Sequence, residues 1–283
     1  MTQLRRFAQV DVFTATPLKG NPLAVVIDAG GLSDDEMAAF ARWTNLSETT
    51  FLLPPTDQGS AQGADYRVRI FTPGGELPFA GHPTLGSAHA FLASGGDAKK
   101  PGEVVQECGI GLVRVKRDGP RLAFAAPPLK RSGPVDVATR AQAIASLRIA
   151  PEAVLDVVWC DNGPGWLAAR LSDAASVLTL QPDFAVMGKL KLGVVGAYPD
   201  GSECQFEVRA FVPDIGVPED PVTGSLNAGL ALWLQESGLA GDSYVAAQGA
   251  ALGRAGRVHV SRDAEATWIG GDVTPLIHGQ VRL

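Results

Sequence analysis

RIFTPGGELP at residues 69–78 and RAFVPDIGVP at residues 209–218 decide how this chain is read. At an offset of 140 residues, Arg69 falls on Arg209, Phe71 on Phe211, Pro73 on Pro213 and Pro78 on Pro218. One extra residue then brings Leu85 onto Leu226. The offset is about half of the 283 residues. Each copy runs from a strand-like stretch through a Pro-rich loop into a helix-like stretch. A repeat of that order predicts a duplicated, two-lobe architecture.

Outward from the first copy, Tyr66, Val68 and Ile70 alternate with Arg67, Arg69 and Phe71, which predicts a strand with one solvated face. The loop TPGGELPFAGHPT leads into a helix with Leu85, His89 and Leu92 on one stripe and Gly95 as its stop. Pro83 suits the first helical turn. Earlier, Val10, Val12 and Thr14 alternate in QVDVFT, Leu23–Ile27 is an apolar run, and Phe51–Leu53 is strand-like. Ser33-Asp34-Asp35-Glu36 is a capping box that predicts a helix to about Thr44. Asp118-Gly119 marks a hairpin and Pro127-Pro128 a linker. In the second half, Pro199-Asp200-Gly201 is a turn before a strand from about Cys204 to Phe211. A helix follows, with Leu226, Leu230 and Trp233 on one face and Gly238 as its stop. The expected limits are 1–127 for the first lobe, joined by a returning strand at 280–283, and 128–279 for the second.

Each Pro-rich loop delivers the chain to a helix N-terminus: Gly81-His82-Pro83-Thr84 in one half, Thr223-Gly224-Ser225 in the other. Helix starts leave N–H groups unpaired and carry roughly half a positive charge. Two lobes facing each other would aim both starts into one cleft, suited to a small carboxylate. Gly81 and Gly224 would let a ligand approach the backbone closely. Either start read alone is equally a plain capped helix.

Lys and Arg number 24 against 30 Asp and Glu, a net charge of −6, which argues against a nucleic-acid binder. No apolar run approaches the ~20 residues of a membrane span, and MTQLRRFAQV has no apolar export core. Cys108, Cys160 and Cys204 are scattered and odd in number, so neither a disulfide framework nor a CxxC zinc site is expected. A reducing, cytoplasmic setting fits. No GxxxxGK[ST] loop and no metal-ligand spacing is present, which disfavours a nucleotide or metal enzyme.

GNPLAVV at 20–26, NLSETTF at 45–51, PFAGHPTLGSAHA at 78–90, DPVTGS at 220–225 and QGAALGRAGRVHV at 248–260 occur in that order. Together they resemble the PhzF-like (phenazine biosynthesis) family. The resemblance implies an α+β fold of diaminopimelate-epimerase type. That fold has two pseudo-symmetric lobes, each a curved mixed sheet around a central helix, with the active site in the cleft between them. It also implies a cofactor-independent isomerase, without a metal, and a homodimer. Glu48 matches the family's catalytic acid/base. His82 and Asp220 match residues that position substrate and help proton movement. Ser225, with Gly224, matches the carboxylate-binding helix start. The 248–260 stretch matches the family's closing glycine loop.

The chemistry suits these residue types. A carboxylate that takes a proton from carbon and returns it works best with a pKa near ambient pH. Raising a glutamate from ~4.3 to ~6.5 corresponds to about 3 kcal/mol of disfavoured charge, which desolvation can supply. Phe51, Leu77 and Phe79 are candidates for the desolvating wall. Read without the family, Glu48 is an exposed charge at a strand entrance, His82 a helix cap and Asp220 a turn residue. Asn21, in GNP, is read as a turn residue that alternatively reaches the ligand. His89, His259 and His278 are read as structural or surface residues.

Racemases of this fold use two cysteines beside the helix starts. The matching positions here are about Ala80 and Pro221, so a two-thiol racemase is excluded and a one-base proton shift remains. The competing class is a non-catalytic small-carboxylate binding protein that kept the cleft.

Overall fold

The computed structural model describes residues 2–215 and 217–283. Gly216, within the second copy of the repeat, lies outside the described residues. Two compact units divide the chain, one running to Ala125 and taking in Gly270–Leu283, the other Ala126–Ile269.

The elements of the first unit are β1 (Leu4–Val12), β2 (Asn21–Val26), α1 (Asp34–Thr44), β3 (Glu48–Leu53), α2 (Asp57–Ala61), β4 (Tyr66–Thr72), β5 (Gly75–Leu77), α3 (Gly81–Ala93), β6 (Glu103–Cys108), β7 (Gly111–Asp118) and β8 (Arg121–Ala125). The second unit follows with β9 (Arg131–Pro134), α4 (Val137–Leu147), β10 (Val154–Asp161), β11 (Trp166–Leu171), α5 (Ala174–Leu178), α6 (Phe184–Met187), β12 (Lys191–Ala197), β13 (Phe206–Phe211), β14 (Glu219–Asp220), α7 (Gly224–Glu236), β15 (Ser243–Gln248) and β16 (Gly256–Arg262). Strand β17 (Thr267–Gly271) crosses the boundary at Ile269, and β18 (Val273–Arg282) belongs to the first unit. The return is longer than residues 280–283, because β18 pairs along the whole of β1, from Leu4↔Arg282 to Val12↔Val273. Arg121 also binds Asp272 at 3.0 Å just before that strand.

The units repeat one pairing scheme. In the first, β1/β2 is antiparallel, β2/β3 parallel, β3/β4 antiparallel, β4/β6 parallel and β6/β7 antiparallel. In the second, β10/β11, β11/β12, β12/β13, β13/β15 and β15/β16 run in the same senses. Even the outermost pairs agree, β18 on β1 and β9 on β10, both antiparallel.

Helix α3 touches eight strands of its unit, so the sheet curls around it. It is buried on nearly every side from Gly81 to Ala88, and only farther along do His89 and Leu92 reach solvent. The expected single apolar stripe is therefore a central helix. A helix hydrophobic all round belongs in a core. Helix α7 is equivalent, with Leu226, Leu230 and Leu234 buried and Trp233 half-exposed.

Both central helices have 13 residues, starting at Gly81 and Gly224, so the true offset at the helices is 143. Leu85 thus matches Ala228, not Leu226. The cause is the Pro-rich loop. Phe71 pairs with Glu76 and Phe211 with Glu219, so the second loop is three residues longer. Gly86 and Gly229 coincide at this offset and hold each helix against its first strands. A Cβ on Gly86 would lie 2.5 Å from Leu23, and one on Gly229 would lie 2.2 Å from the Cys160 carbonyl oxygen.

Helix α1 covers the outer face of the first sheet. Its capping box forms as expected: Ser33 Oγ accepts from the Glu36 N–H, and Glu36 Oε2 accepts from the Ser33 N–H at 2.8 Å. Met37, Phe40 and Ala41 then pack on Val26, Phe51 and Phe71. Burying each large side chain contributes about 1.5–3 kcal/mol.

Candidate active site

Two central helices stand apart from the others at their N-termini. Helices α1, α2, α4, α5 and α6 are each capped by a side chain, from Ser33, Thr56, Asp136, Asp173 and Asp183. The N-cap residues of α3 and α7, Ala80 and Thr223, make no side-chain capping bond. A missing cap ordinarily costs about 1 kcal/mol. These two starts lack the side-chain cap that the other helices carry.

At the α3 start, three sequence-singled residues meet. Strand β3 begins at Glu48 and presents Glu48 and Thr50 on one face, Thr49 and Phe51 on the other. Ser87 of α3 donates to Thr50 at 2.9 Å, which fixes the first face as the one toward α3. Glu48 Oε2 lies 3.4 Å from His82 Nε2, with side-chain exposures of 13% and 3%. Asn21 Nδ2 stands 3.3 Å from His82 Nδ1. Asn21 is the fully buried first residue of β2, a strand residue beside His82 rather than a turn residue.

Burial pushes the His82 pKa down to about 3, opposed by a hydrogen bond to the Pro22 carbonyl. The ring is therefore neutral at physiological pH. The ring also meets the Pro22 carbonyl and Asn21, while Nε2 faces Glu48 without a hydrogen bond.

The expected wall needs one correction. Phe51 points away from Glu48, into the α1 cluster, and packs edge-on against Phe40 and Phe71. Strand parity forbids residues 48 and 51 from sharing a face. Phe79 is buried against Phe124, and Leu77 is half-buried on β5.

At the α7 start, Asp220 closes β14 and accepts from Thr223 Oγ1 at 2.6 Å. Gln248 braces the turn between them. Its Oε1 accepts from the Thr223 N–H at 3.0 Å and from Asn227 at 2.8 Å, while its Nε2 donates to Thr223 Oγ1 at 2.9 Å and to the Asp220 carbonyl at 3.1 Å. Ser225 Oγ accepts from Trp166 Nε1 at 3.0 Å, and the Ser225 carbonyl accepts from Asn162 at 2.8 Å. The glycine loop after β15 packs beneath. A Cβ on Gly249 would lie 2.7 Å from the Pro221 oxygen and one on Gly256 2.4 Å from Val222.

Sequence reasoning passed over Gln248, Asn227, Trp166 and, in the first unit, Asp11. The buried Asp11 carboxylate accepts from the Gly20 N–H at 3.0 Å and so sets the turn leading to Asn21. A polar residue between Val10 and Val12, and a glutamine opening the glycine loop, are the faint signals available.

Neither helix start carries a thiol. At the structural offset, Ala80 matches Thr223 and Pro221 matches Pro78, so the second position expected for a racemase cysteine is corrected from Pro221 to Thr223. Cys160 is buried at the end of β10, and burial pushes its thiol pKa up. Among the described residues, no three His, Cys, Asp or Glu side chains cluster as metal ligands, and no helix is long and apolar enough to cross a membrane.

Comparison with known proteins shows the family. The model of the PhzC-PhzF family, described as phenazine biosynthesis-like protein, matches residues 10–279. Antisense-enhancing sequence 1 of Schizosaccharomyces pombe is 36% identical, over 97% of both chains. Trans-2,3-dihydro-3-hydroxyanthranilate isomerase of Pseudomonas aeruginosa is 33% identical, over 90% of both chains. The crystal structure of a PhzF-family protein from Enterococcus faecalis superposes with a TM-score of 0.80 at 24% identity, covering 99% of this chain and 100% of that one. The α+β epimerase-type fold expected from the motifs is thereby borne out, and the relatives support an isomerase at family level. With its two uncapped helix starts and its repeated sheet, the chain belongs to the PhzC-PhzF family of phenazine biosynthesis-like proteins.

Proposed function

We propose that this protein is a cofactor-independent isomerase that shifts a proton within a small cyclic or amino-acid-like carboxylate, with Glu48 as the general acid/base. The observation that carries the reading is Glu48 beside a neutral His82 at a helix start with no side-chain cap. A neutral imidazole places no positive charge beside Glu48.

In the forward step Glu48, as carboxylate, removes a proton from an allylic carbon. The C–H electron pair enters the adjacent π system and the double bond moves. Glu48 then returns the proton at the far end of that system. No electrons are gained or lost, so no redox group is required. The α7 start, with Gly224 and Ser225, holds the substrate carboxylate, and Asp220 and Thr223 shape that start. Gly81 presents the other bare helix end. The relatives named for trans-2,3-dihydro-3-hydroxyanthranilate isomerisation make that compound the first substrate to test. A homodimer in the cytoplasm completes the reading.

The test is Glu48→Gln in 2H2O. The variant should fold with a wild-type circular dichroism spectrum and lose both turnover and solvent deuterium incorporation into the recovered compound. Deuterium exchange at the wild-type rate in that variant would remove Glu48 from the role. Binding of the compound by wild type without any exchange would leave a carboxylate-binding protein instead.

A further inference from the structure

The second unit carries a pocket on the face of its sheet opposite α7. On β12, a Cβ at Gly193 would meet Leu226 of α7, whereas one at Gly196 would meet Asp173 and Val177 at α5. Gly196 pairs with Glu207 of β13, so Glu207 lies on the α5 side. The Gln248 side chain, bonded to Thr223 and Asn227, belongs to the other face.

Tyr198, Cys204, Glu207, Arg254 and Arg257 border this pocket of about 460 Å³. Small-molecule sites span roughly 300–1,000 Å³. Glu207 is fully buried. Its Oε2 accepts from Tyr198 Oη at 2.7 Å, but its Oε1 is buried without a hydrogen-bond partner. Burial raises this carboxyl to about 7, against the pull of Arg257 and Arg209. Buried acceptors are nearly always satisfied, so an orphan at a pocket wall calls for a donor from outside the protein. Arg257 is half-exposed and lies 3.6 Å from an outward Glu203. The remaining wall includes Ala247, Ala250 and Ala255.

We propose that this pocket binds a small zwitterionic α-amino acid, its ammonium on Glu207 Oε1 and its carboxylate on the arginine side. An alcohol would satisfy only the orphan oxygen, and a simple carboxylate only the guanidiniums. An α-amino acid carries both groups on one carbon. Gln248, which braces the α7 start, also borders this pocket, and the pocket's ligand is not the isomerised compound.

The test titrates the full chain with L-serine by calorimetry, with glycine betaine, which has no N–H, as the control. The expected result is saturable one-to-one binding of serine, none of betaine, and at least tenfold weaker binding in both Glu207→Gln and Arg257→Gln. Should Glu207→Gln melt at a lower temperature, Arg257→Gln still decides the matter. No saturable heat with serine, equal binding of betaine, or unchanged affinity in Arg257→Gln would overturn the proposal.

Discussion

His82 Nε2 faces Glu48 Oε2 across 3.4 Å with both side chains largely withdrawn from water. The pair resembles a salt bridge by distance and differs from one in charge, because burial keeps the imidazole neutral. A charged partner would hold a neighbouring carboxylate ionised, and a neutral imidazole exerts no such pull.

The first prediction follows for the pH dependence of catalysis. With its pKa near 3, His82 contributes no titration to kcat/KM around pH 6.5. The 15N shifts of the His82 ring should therefore stay those of a neutral imidazole from pH 8 down to pH 5. His82→Asn should lower kcat by roughly 10²-fold, the scale of a lost positioning contact in proton transfer, without shifting either limb of the profile. A ring that protonates near pH 6 would contradict the neutral assignment.

A second prediction concerns acid stability. The folded pKa of His82, about 3, lies below its ordinary value of 6.5. Between those values the unfolded chain binds the extra proton, so stability rises with pH across the window and is lost as pH falls below 6.5. For one proton the slope approaches about 1.4 kcal/mol per pH unit. Urea midpoints measured at pH 7, 6 and 5 should fall, and His82→Gln should flatten that decline. Midpoints that hold steady to pH 5 in the wild type would show that His82 is not buried neutral.

Much of this was legible in the sequence, and what was not has a physical cause. Arg69 and Arg209 betrayed the duplication because each does the same work, gripping a glutamate on the neighbouring strand and lying over a phenylalanine ring. The helix offset was misjudged because loop length is invisible to residue identity. Only the pairing of Phe71 with Glu76 and of Phe211 with Glu219 exposes the three added residues. Phe51 faces away from Glu48 because β3 already begins at Glu48 and strand parity separates residues three apart, which a strand read from Phe51 onward does not reveal. Gln248 reaches Asp220 and Thr223 from 25 residues or more away, and a glutamine at a strand end announces nothing of that.

The two arginine forks make a third prediction, because the repeat keeps their geometry and changes their burial. Arg69 grips Glu76 at 2.8 and 2.6 Å, and Arg209 grips Glu219 at 2.9 and 2.7 Å. Glu76 is 41% exposed, whereas Arg209 and Glu219 are 6% and 9% exposed. Removing one partner of a buried pair strands a charge and costs about 3–5 kcal/mol. An exposed pair contributes about 1 kcal/mol or less. Glu219→Gln should therefore destabilise several-fold more than Glu76→Gln in urea unfolding. Equal effects would mean that solvent reaches the second fork.

The two mid-helix glycines set the last prediction, since helix propensity and packing pull in opposite directions. Replacing glycine by alanine inside a helix ordinarily gains about 1 kcal/mol. At Gly229, however, the new methyl would sit 2.2 Å from the Cys160 carbonyl oxygen, and backbone cannot step aside. Overpacking of that kind costs about 1–3 kcal/mol or more, so the clash wins and Gly229→Ala should destabilise. At Gly86 the nearest neighbour is the Leu23 Cδ2 atom at 2.5 Å, the end of a side chain that can rotate, with Val12 and Val10 methyls behind it at 3.0 and 3.1 Å. Gly86→Ala should therefore cost less than Gly229→Ala, and differential scanning calorimetry of the two variants reads the order directly. The reverse order would mean that α7 can slide on β10 more readily than Leu23 can repack beneath α3.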